Sequence, residues 1–298
     1  MKLIKPSVEI IRQEKYDLNH IFKFIELAGR TCYKSEDKIT EDSAKEFVDR
    51  MVKSGHGAML EHGTVYLESH VKDPSIVGED EYHNQQALLN KLINKYADNK
   101  YSIVRVNHYY DTAFITTNYR VLVENNWLDD LKYLYEPTAF HHKRYTVKFI
   151  CDRAIANEFV RHRKFSFLQE STRYCRYSSD KFNGELTFIQ PCWLNEEMLK
   201  LYGSYHTVVR DKSSESIFIA NLNNAERDYI DLVKSGWKAE EARNILPLSL
   251  KTELYMCGFA EDWEQFFKLR TASNVHPQAK ELAIPLKEEF IKRGYINE

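Results

Sequence analysis

Apolar and polar positions follow two different periods along this chain, and the changes of period mark out its elements. From Asp17 to Ala28 the residues Ile21, Phe22, Ile25 and Ala28 recur at helical spacing, and Gly29 is the expected stop. A second helix is expected from near Thr40, with Glu41 and Asp42 in its first turn, to Gly55. Thr64 to Val71 alternates as a strand does. So does Arg144 to Cys151, where Tyr145, Val147, Phe149 and Cys151 interleave with Thr146, Lys148 and Ile150. Ile150 among the polar positions implies a sheet covered on both faces. A short helix, Asp152 to His162, follows. Leu186 to Gln190 reads as a strand closed by Pro191, Asn195 to Lys234 as one long or two stacked helices, and Lys238 to Leu246 as another ended by Pro247. A hydrophobic stretch, Leu248 to Ala260, precedes a helix carrying Trp263, Phe266, Phe267 and Arg270, and a last helix runs from about Pro277 to Arg293. Residues from about Lys72 to His142 are polar and rich in Asn and Tyr, with helical patterns around Gln85 to Tyr96 and Asp111 to Asn125. They read as an insertion at about 72–142 in a single domain spanning 1–298. The fold class is α+β, with helices around a mainly antiparallel sheet.

Charge and cysteine usage narrow the function classes. With 42 Lys+Arg against 44 Asp+Glu the net charge is −2, which argues against a broad nucleic-acid footprint, so any anion site is local. The five cysteines, Cys32, Cys151, Cys175, Cys192 and Cys257, are far apart with no C-x-x-C pair, and read as reduced thiols. The first residues lack an apolar signal core and no run approaches a membrane span, so a soluble, cytoplasmic protein without membrane partners is expected.

The segment Arg161 to Tyr174 concentrates the chemistry. Arg161, His162 and Arg163 are consecutive and cannot share one face of a helix or strand, so they suit a helix end that splays them toward an anion. Ser171 and Arg173 are expected to alternate as in a strand, offering a hydroxyl and a bidentate fork on one side. Upstream, the Gly55–Gly63 loop carries His56, Glu61 and His62; no third ligand stands at metal spacing, and Glu61 and His62 are expected to pair across the loop. Arg243, near Pro247, is either a helix-dipole partner or a second anion-binding cation.

Arg161-His162-Arg163, seven residues, then Ser171 resembles the signature of the flavin-dependent thymidylate synthases. Gln169-Glu170-Ser171-Thr172-Arg173-Tyr174, Gly55-His56 with Glu61-His62, Ala242 to Pro247, and Phe266 to Arg270 resemble the same family in order and spacing. The resemblance covers roughly 16 to 70 and 143 to 293. It implies reductive methylation of dUMP to dTMP, with methylenetetrahydrofolate as carbon donor and FAD, reduced by NADPH, as hydride source. It further implies a homotetramer whose sites are shared between subunits. By the same resemblance, dUMP falls to Glu158, Arg161, Gln169, Ser171, Thr172, Arg173, Arg243 and Arg270. FAD falls to His56, Arg161, His162, Arg163, Gln169 and Gln265. Arg270 is the expected catalytic residue, stabilising negative charge on the uracil ring; no protein nucleophile is implied, and Ser171 is assigned to binding.

Where the family often carries Asn, Arg and Asn or His at flavin-contacting positions, this chain has Phe259, Glu261 and Gln265, with Ala58 and Cys32 in place of hydroxyl residues. The adenine or pyrophosphate end of FAD must then be held differently. Two alternatives stand beside this reading. One is a nucleotide-binding protein of the same fold that has lost FAD-dependent activity. The other is a nucleic-acid module using Arg161, Arg163, Lys164, Arg173 and Arg176 with Phe165, Phe167, Tyr174 and Tyr177 as a stacking surface.

Overall fold

A computed structural model of the chain describes residues 1–194 and 213–297. Among the described residues the strands form three sheets. Strands β2 (Ser7–Ile11), β6 (Arg144–Asp152), β9 (Lys251–Phe259) and β7 (Ser166–Gln169) make an antiparallel sheet in the order β2-β6-β9-β7. Strands β3 (Thr64–His70), β5 (Thr112–Asn118) and β4 (Ile103–Asn107) make a second antiparallel sheet, β3-β5-β4. A small parallel pair joins β1 (Lys2–Ile4) to β8 (Thr187–Ile189). The helices are α1 (Leu18–Tyr33), α2 (Ser43–Lys53), α3 (Pro74–Val77), α4 (Glu79–Ala97), α5 (Tyr119–Glu124), α6 (Arg153–Phe159), α7 (Ser214–Lys234), α8 (Ala239–Ala242), α9 (Ala260–Arg270) and α10 (Pro277–Lys292). The class is α+β, with mainly antiparallel sheets. None of the helices among the described residues is long and apolar enough to cross a membrane.

The four-stranded sheet is covered on both faces, as Ile150 implied. On one side Leu168 of β7 and Tyr255 of β9 join Ile21, Ile25 and Ala28 of α1, Phe47 and Val48 of α2, and Val65 and Ile115 of the second sheet. On the other, Val147, Phe149, Leu254 and Met256 pack against Phe159 of α6, Trp263, Phe266 and Phe267 of α9, and Leu282, Leu286 and Phe290 of α10. A third core gathers Phe188 of β8 with Ile219, Leu222 and Tyr229 of α7.

Helix α1 starts where its sequence says it should, with the Asp17 side chain accepting the His20 backbone N–H at 3.0 Å. It does not stop at Gly29. A Cβ there would lie 2.8 Å from the Phe47 ring and 3.0 Å from the Met59 sulfur, so this glycine sets the close approach of α1 and α2. The helix instead ends at Lys34, in the left-handed region at φ 48°.

The helical pattern from Asp111 to Asn125 divides in two. All seven residues of β5, rich in Thr and including Ile115, are buried between β3 and β4, and only from Tyr119 does the chain turn helical, capped by Asn118 accepting the Val121 N–H. The segment 72–142 therefore contributes two strands, β5 pairing with β3 along seven residues. The hydrophobic stretch Leu248 to Ala260 contains β9, the strand that binds both β6 and β7. Of the helical stretch expected from Asn195 to Lys234, α7 accounts for the part from Ser214, and 195–212 lie outside the described residues.

Candidate active site

Strand β6 runs directly into α6, and the junction is tied twice. Asp152 accepts the Ile155 N–H at 2.8 Å as N-cap, and its second oxygen accepts the buried Gln278 amide of α10 at 2.7 Å. Ile155, Ala156 and Phe159 anchor the short helix in the core. Beyond it the backbone turns tightly: Arg161 N–H donates to Glu158 O at 3.3 Å, His162 N–H to Phe159 O at 3.1 Å, and Phe165 N–H to His162 O at 3.1 Å. The three basic side chains diverge, as their adjacency required. Those of Arg161 and Arg163 are exposed and make no hydrogen bond or ion pair among the described residues; the ring of His162 turns inward against Phe266.

Inward, His162 meets Arg270, the last residue of α9. Arg270 Nε donates to His162 Nε2 at 2.9 Å, one terminal nitrogen to Glu158 Oε2 at 2.7 Å, and the other to the Glu158 carbonyl at 2.8 Å. Its guanidinium also lies 5.7 Å from the centroid of the Phe159 ring. Three of its five N–H groups are thereby used, and two remain to meet a ligand. Burial, and then the adjacent Arg270 cation, push the His162 pKa down to about 4, which keeps the ring neutral at physiological pH and able to accept from Arg270. Glu158 and Arg270 line one cleft with Asn274 and His276.

Eight residues after Arg163, Ser171 stands in a turn rather than the expected strand. The ladder of β7 ends at Gln169, whose amide donates to Thr252 Oγ1 at 3.2 Å. Ser171 Oγ then accepts the Arg173 N–H at 3.3 Å, and Ser171 O accepts from the N–H groups of Tyr174 and Cys175, which bends the chain away from the sheet. In this turn Thr172 accepts from Arg243 at 3.3 Å, and the exposed Arg173 lies 3.4 Å from Glu240. His56 belongs here too: Tyr33 bridges it, with its hydroxyl 3.2 Å from His56 Nδ1 and its ring 5.1 Å from that of Tyr174. Gln265 is exposed on α9. Two groups therefore form, one around Arg270 and one around Ser171, and the chain passes from the His162 turn of the first to the second through β7, a strand about 10 Å long.

A buried ionic network underlies the Ser171 turn, and of its members the sequence singles out only Glu170, within the family-like segment, and Tyr177, as a stacking residue. The Glu170 carboxylate accepts from Tyr177 and from Lys251, both at 2.9 Å; Glu253 meets Lys34, Lys148 and Lys251 at 2.8, 2.7 and 2.5 Å. Although burial opposes it, the lysines together hold the Glu253 carboxyl well below the usual carboxylate range. A carboxylate in the middle of the apolar stretch Leu248–Ala260 was the available signal. Cys32 and Cys175 flank this turn, and burial pushes their thiols up to about 11 and about 12, so neither offers a thiolate.

Several expectations change. Glu61 does not pair with His62; it binds Arg120. His62 is fully buried with neither ring nitrogen hydrogen-bonded among the described residues, and burial lowers its pKa to about 3. Glu261 turns to His142 at 2.7 Å. Phe165 and Tyr177 are buried, which breaks up the aromatic surface a nucleic-acid module would need. No group of three or more His, Cys, Asp or Glu among the described residues is arranged to hold a metal ion.

Comparison with known proteins bears on these two groups. The chain is 30% identical over 146 residues to a flavin-dependent thymidylate synthase of Pyrococcus furiosus, covering 49% of this chain and 53% of that protein. It is 27% identical over 153 residues to the flavin-dependent thymidylate synthase of Synechocystis, and 29% identical over 153 residues to a probable one of Paramecium bursaria Chlorella virus 1; each match covers 49% of this chain and 66% of the relative. The chain thus spans between about half and two-thirds of the length of these curated relatives. A family model described as thymidylate synthase complementing protein matches residues 83–293, from within α4 to the end of α10. That stretch contains the Arg161–Arg163 turn, the Ser171 turn, Arg243 and Arg270, and by it the chain belongs to the thymidylate synthase complementing protein family, that of the flavin-dependent thymidylate synthases.

Proposed function

We propose that the chain catalyses the reductive methylation of dUMP to dTMP, with methylenetetrahydrofolate as carbon donor and FAD, reduced by NADPH, in the redox role. The observation that carries this reading is Arg270, a guanidinium fixed by three hydrogen bonds with two donors left over. A uracil ring losing its N3 proton develops negative charge, and a donor held in place beforehand stabilises it without reorganisation. Glu158 and neutral His162 are the positioning groups that hold Arg270.

The nucleotide phosphate needs cations and a hydroxyl, which Ser171, Thr172 and Arg173 supply in one turn, with Arg243 reaching that turn at Thr172. Arg161 and Arg163, exposed and without partners among the described residues, fit the phosphates of FAD. When bound, FAD supplies the hydride. The flanking residues orient substrate and exclude water, and the raised thiols of Cys32 and Cys175 support a route without a protein nucleophile.

The separation of the Ser171 group from the Arg270 group supports a homotetramer in which one subunit's Ser171 turn faces another subunit's Arg270. The segment 72–142 is proposed as an insertion within a single domain.

The test is anaerobic visible spectroscopy of the protein with FAD, adding NADPH and dUMP and then methylenetetrahydrofolate. Bleaching followed by recovery, with dTMP formed, is the expected result. Binding of dUMP without any binding of flavin would replace this reading with that of a nucleotide-binding relative.

A further inference from the structure

Arg163 lines a cleft of about 390 Å³ whose opposite wall comes from the segment 72–142. That wall is the turn between α4 and β4, carrying Lys100 and Tyr101. The turn is held firmly: the Asn99 side chain accepts the Tyr101 N–H at 2.9 Å and the Ser102 hydroxyl at 3.2 Å, and Ser102 reaches Thr117 of β5 at 2.8 Å. Tyr101 is nevertheless 53% exposed, with the Lys100 ammonium 4.8 Å from its ring centroid.

The cleft is cationic. Among its lining residues the buried Arg144 donates to Glu61 O and Thr64 Oγ1 and has no carboxylate partner among the described residues, and Lys100, Arg163 and Lys164 stand beside it. The one carboxylate there, Asp262, lies 3.5 Å from Lys164. Phe259 adds a second aromatic surface, with the Arg144 guanidinium 5.7 Å from its ring centroid. Cations around two aromatic faces, in a volume within the range of small-molecule sites, suit a ligand that joins flat rings through phosphates. A second cleft of about 440 Å³ lies on the other side of Lys100 and Tyr101, but it is lined by Glu61, Asp98 and Glu124, so the cationic character belongs to the first cleft.

Resting on the flavin reading above, we infer that Lys100 and Tyr101 are cofactor-binding residues of this chain, Lys100 pairing with a phosphate of FAD and Tyr101 stacking on one of its rings. This gives the segment 72–142 a role in the site. It also supplies contacts that Phe259 and Glu261 do not, since Phe259 has no polar group and Glu261 is turned to His142.

The test is equilibrium binding of FAD and of riboflavin, read by flavin fluorescence, for the full chain and for Lys100→Ala, Tyr101→Ala and Tyr101→Phe, with dUMP binding measured calorimetrically as the check on folding. Lys100→Ala is expected to weaken FAD at least tenfold and leave riboflavin unchanged. Tyr101→Ala is expected to weaken both, and Tyr101→Phe neither, with dUMP affinity constant throughout. Unchanged FAD affinity in Lys100→Ala and Tyr101→Ala, in a chain that binds FAD, overturns this inference alone. A wild-type chain that binds no FAD overturns the flavin reading and this inference with it.

Discussion

Replacing Arg270 by alanine separates a positioned guanidinium from a merely structural one, because it has two readouts that move independently. The side chain makes three hydrogen bonds at 2.7 to 2.9 Å, two of them to Glu158. The Glu158 side chain is 34% exposed and water can solvate it once abandoned, so the loss of stability is expected to be modest, about 1–2 kcal/mol. The loss of transition-state stabilisation is larger, about 3–4 kcal/mol for one preorganised donor, or a fall of some 10²- to 10³-fold in kcat.

The second readout is His162. Its ring is held at about 4 by burial first and by Arg270 second. Removing the cation removes one of two lowering causes, so the His162 pKa rises without reaching the value of an exposed imidazole. In the wild type the unfolded chain takes up a proton near pH 6.5, which the folded chain refuses until about pH 4. The contribution of His162 to stability is therefore full above that window and falls across it by up to about 3 kcal/mol, beside the separate loss from the buried His62, which Arg270→Ala leaves in place. In Arg270→Ala that acid loss shrinks. NMR titration of the histidine ring, urea melts from pH 7 to pH 4, and dTMP formation measure the three effects. A His162 titration that stays put, or dTMP formation at the wild-type rate, refutes the reasoning.

Arg173→Ala and Arg243→Ala are each expected to weaken dUMP about tenfold or more while FAD affinity holds, as calorimetry would read, since both stand at the Ser171 turn. Asp152→Ala removes the cap of α6 and leaves the Gln278 amide unpaired; a loss of about 2–3 kcal/mol in a urea melt is expected, and with it a weaker hold on the Arg161–Arg163 turn. Gly29→Ala forces a methyl against the Phe47 ring and should cost about 1–3 kcal/mol by the same assay. Small-angle scattering should give a particle of about four chains, and a monomer that still forms dTMP would refute the shared site.

The parts of this site that could be read from sequence are those whose signals are local. Adjacency alone forced Arg161, His162 and Arg163 apart, and the capping residue Asp152 and the alternation of β6 placed the turn at a helix end. What was missed depends on partners distant in the chain. A strand was expected to run through Ser171 because residues two apart alternate there, yet the Ser171 hydroxyl and carbonyl capture three local N–H groups and the chain bends. The segment Asp111–Asn125 has a helical period, but Thr112–Asn118 become a strand because β3 and β4 lie on either side of them. The network of Lys34, Lys148, Glu170 with Tyr177, and Lys251 with Glu253 joins residues from four parts of the chain, and no spacing announces it.

The seven residues between Arg163 and Ser171 are, in the folded chain, a strand with connectors at its ends, and the strand is pinned to β9 by four paired residues from Ser166 to Gln169. Ser166 and Leu168 face inward, Phe167 and Gln169 less so. The motif's spacer is therefore a gauge with a parity: one residue more or less would carry Leu168 from the core beneath α1 to the opposite core, where Phe167 packs, and present the Ser171 turn from the other side of the sheet. A fixed number in the sequence signature is thus a statement about which way two groups of cations face.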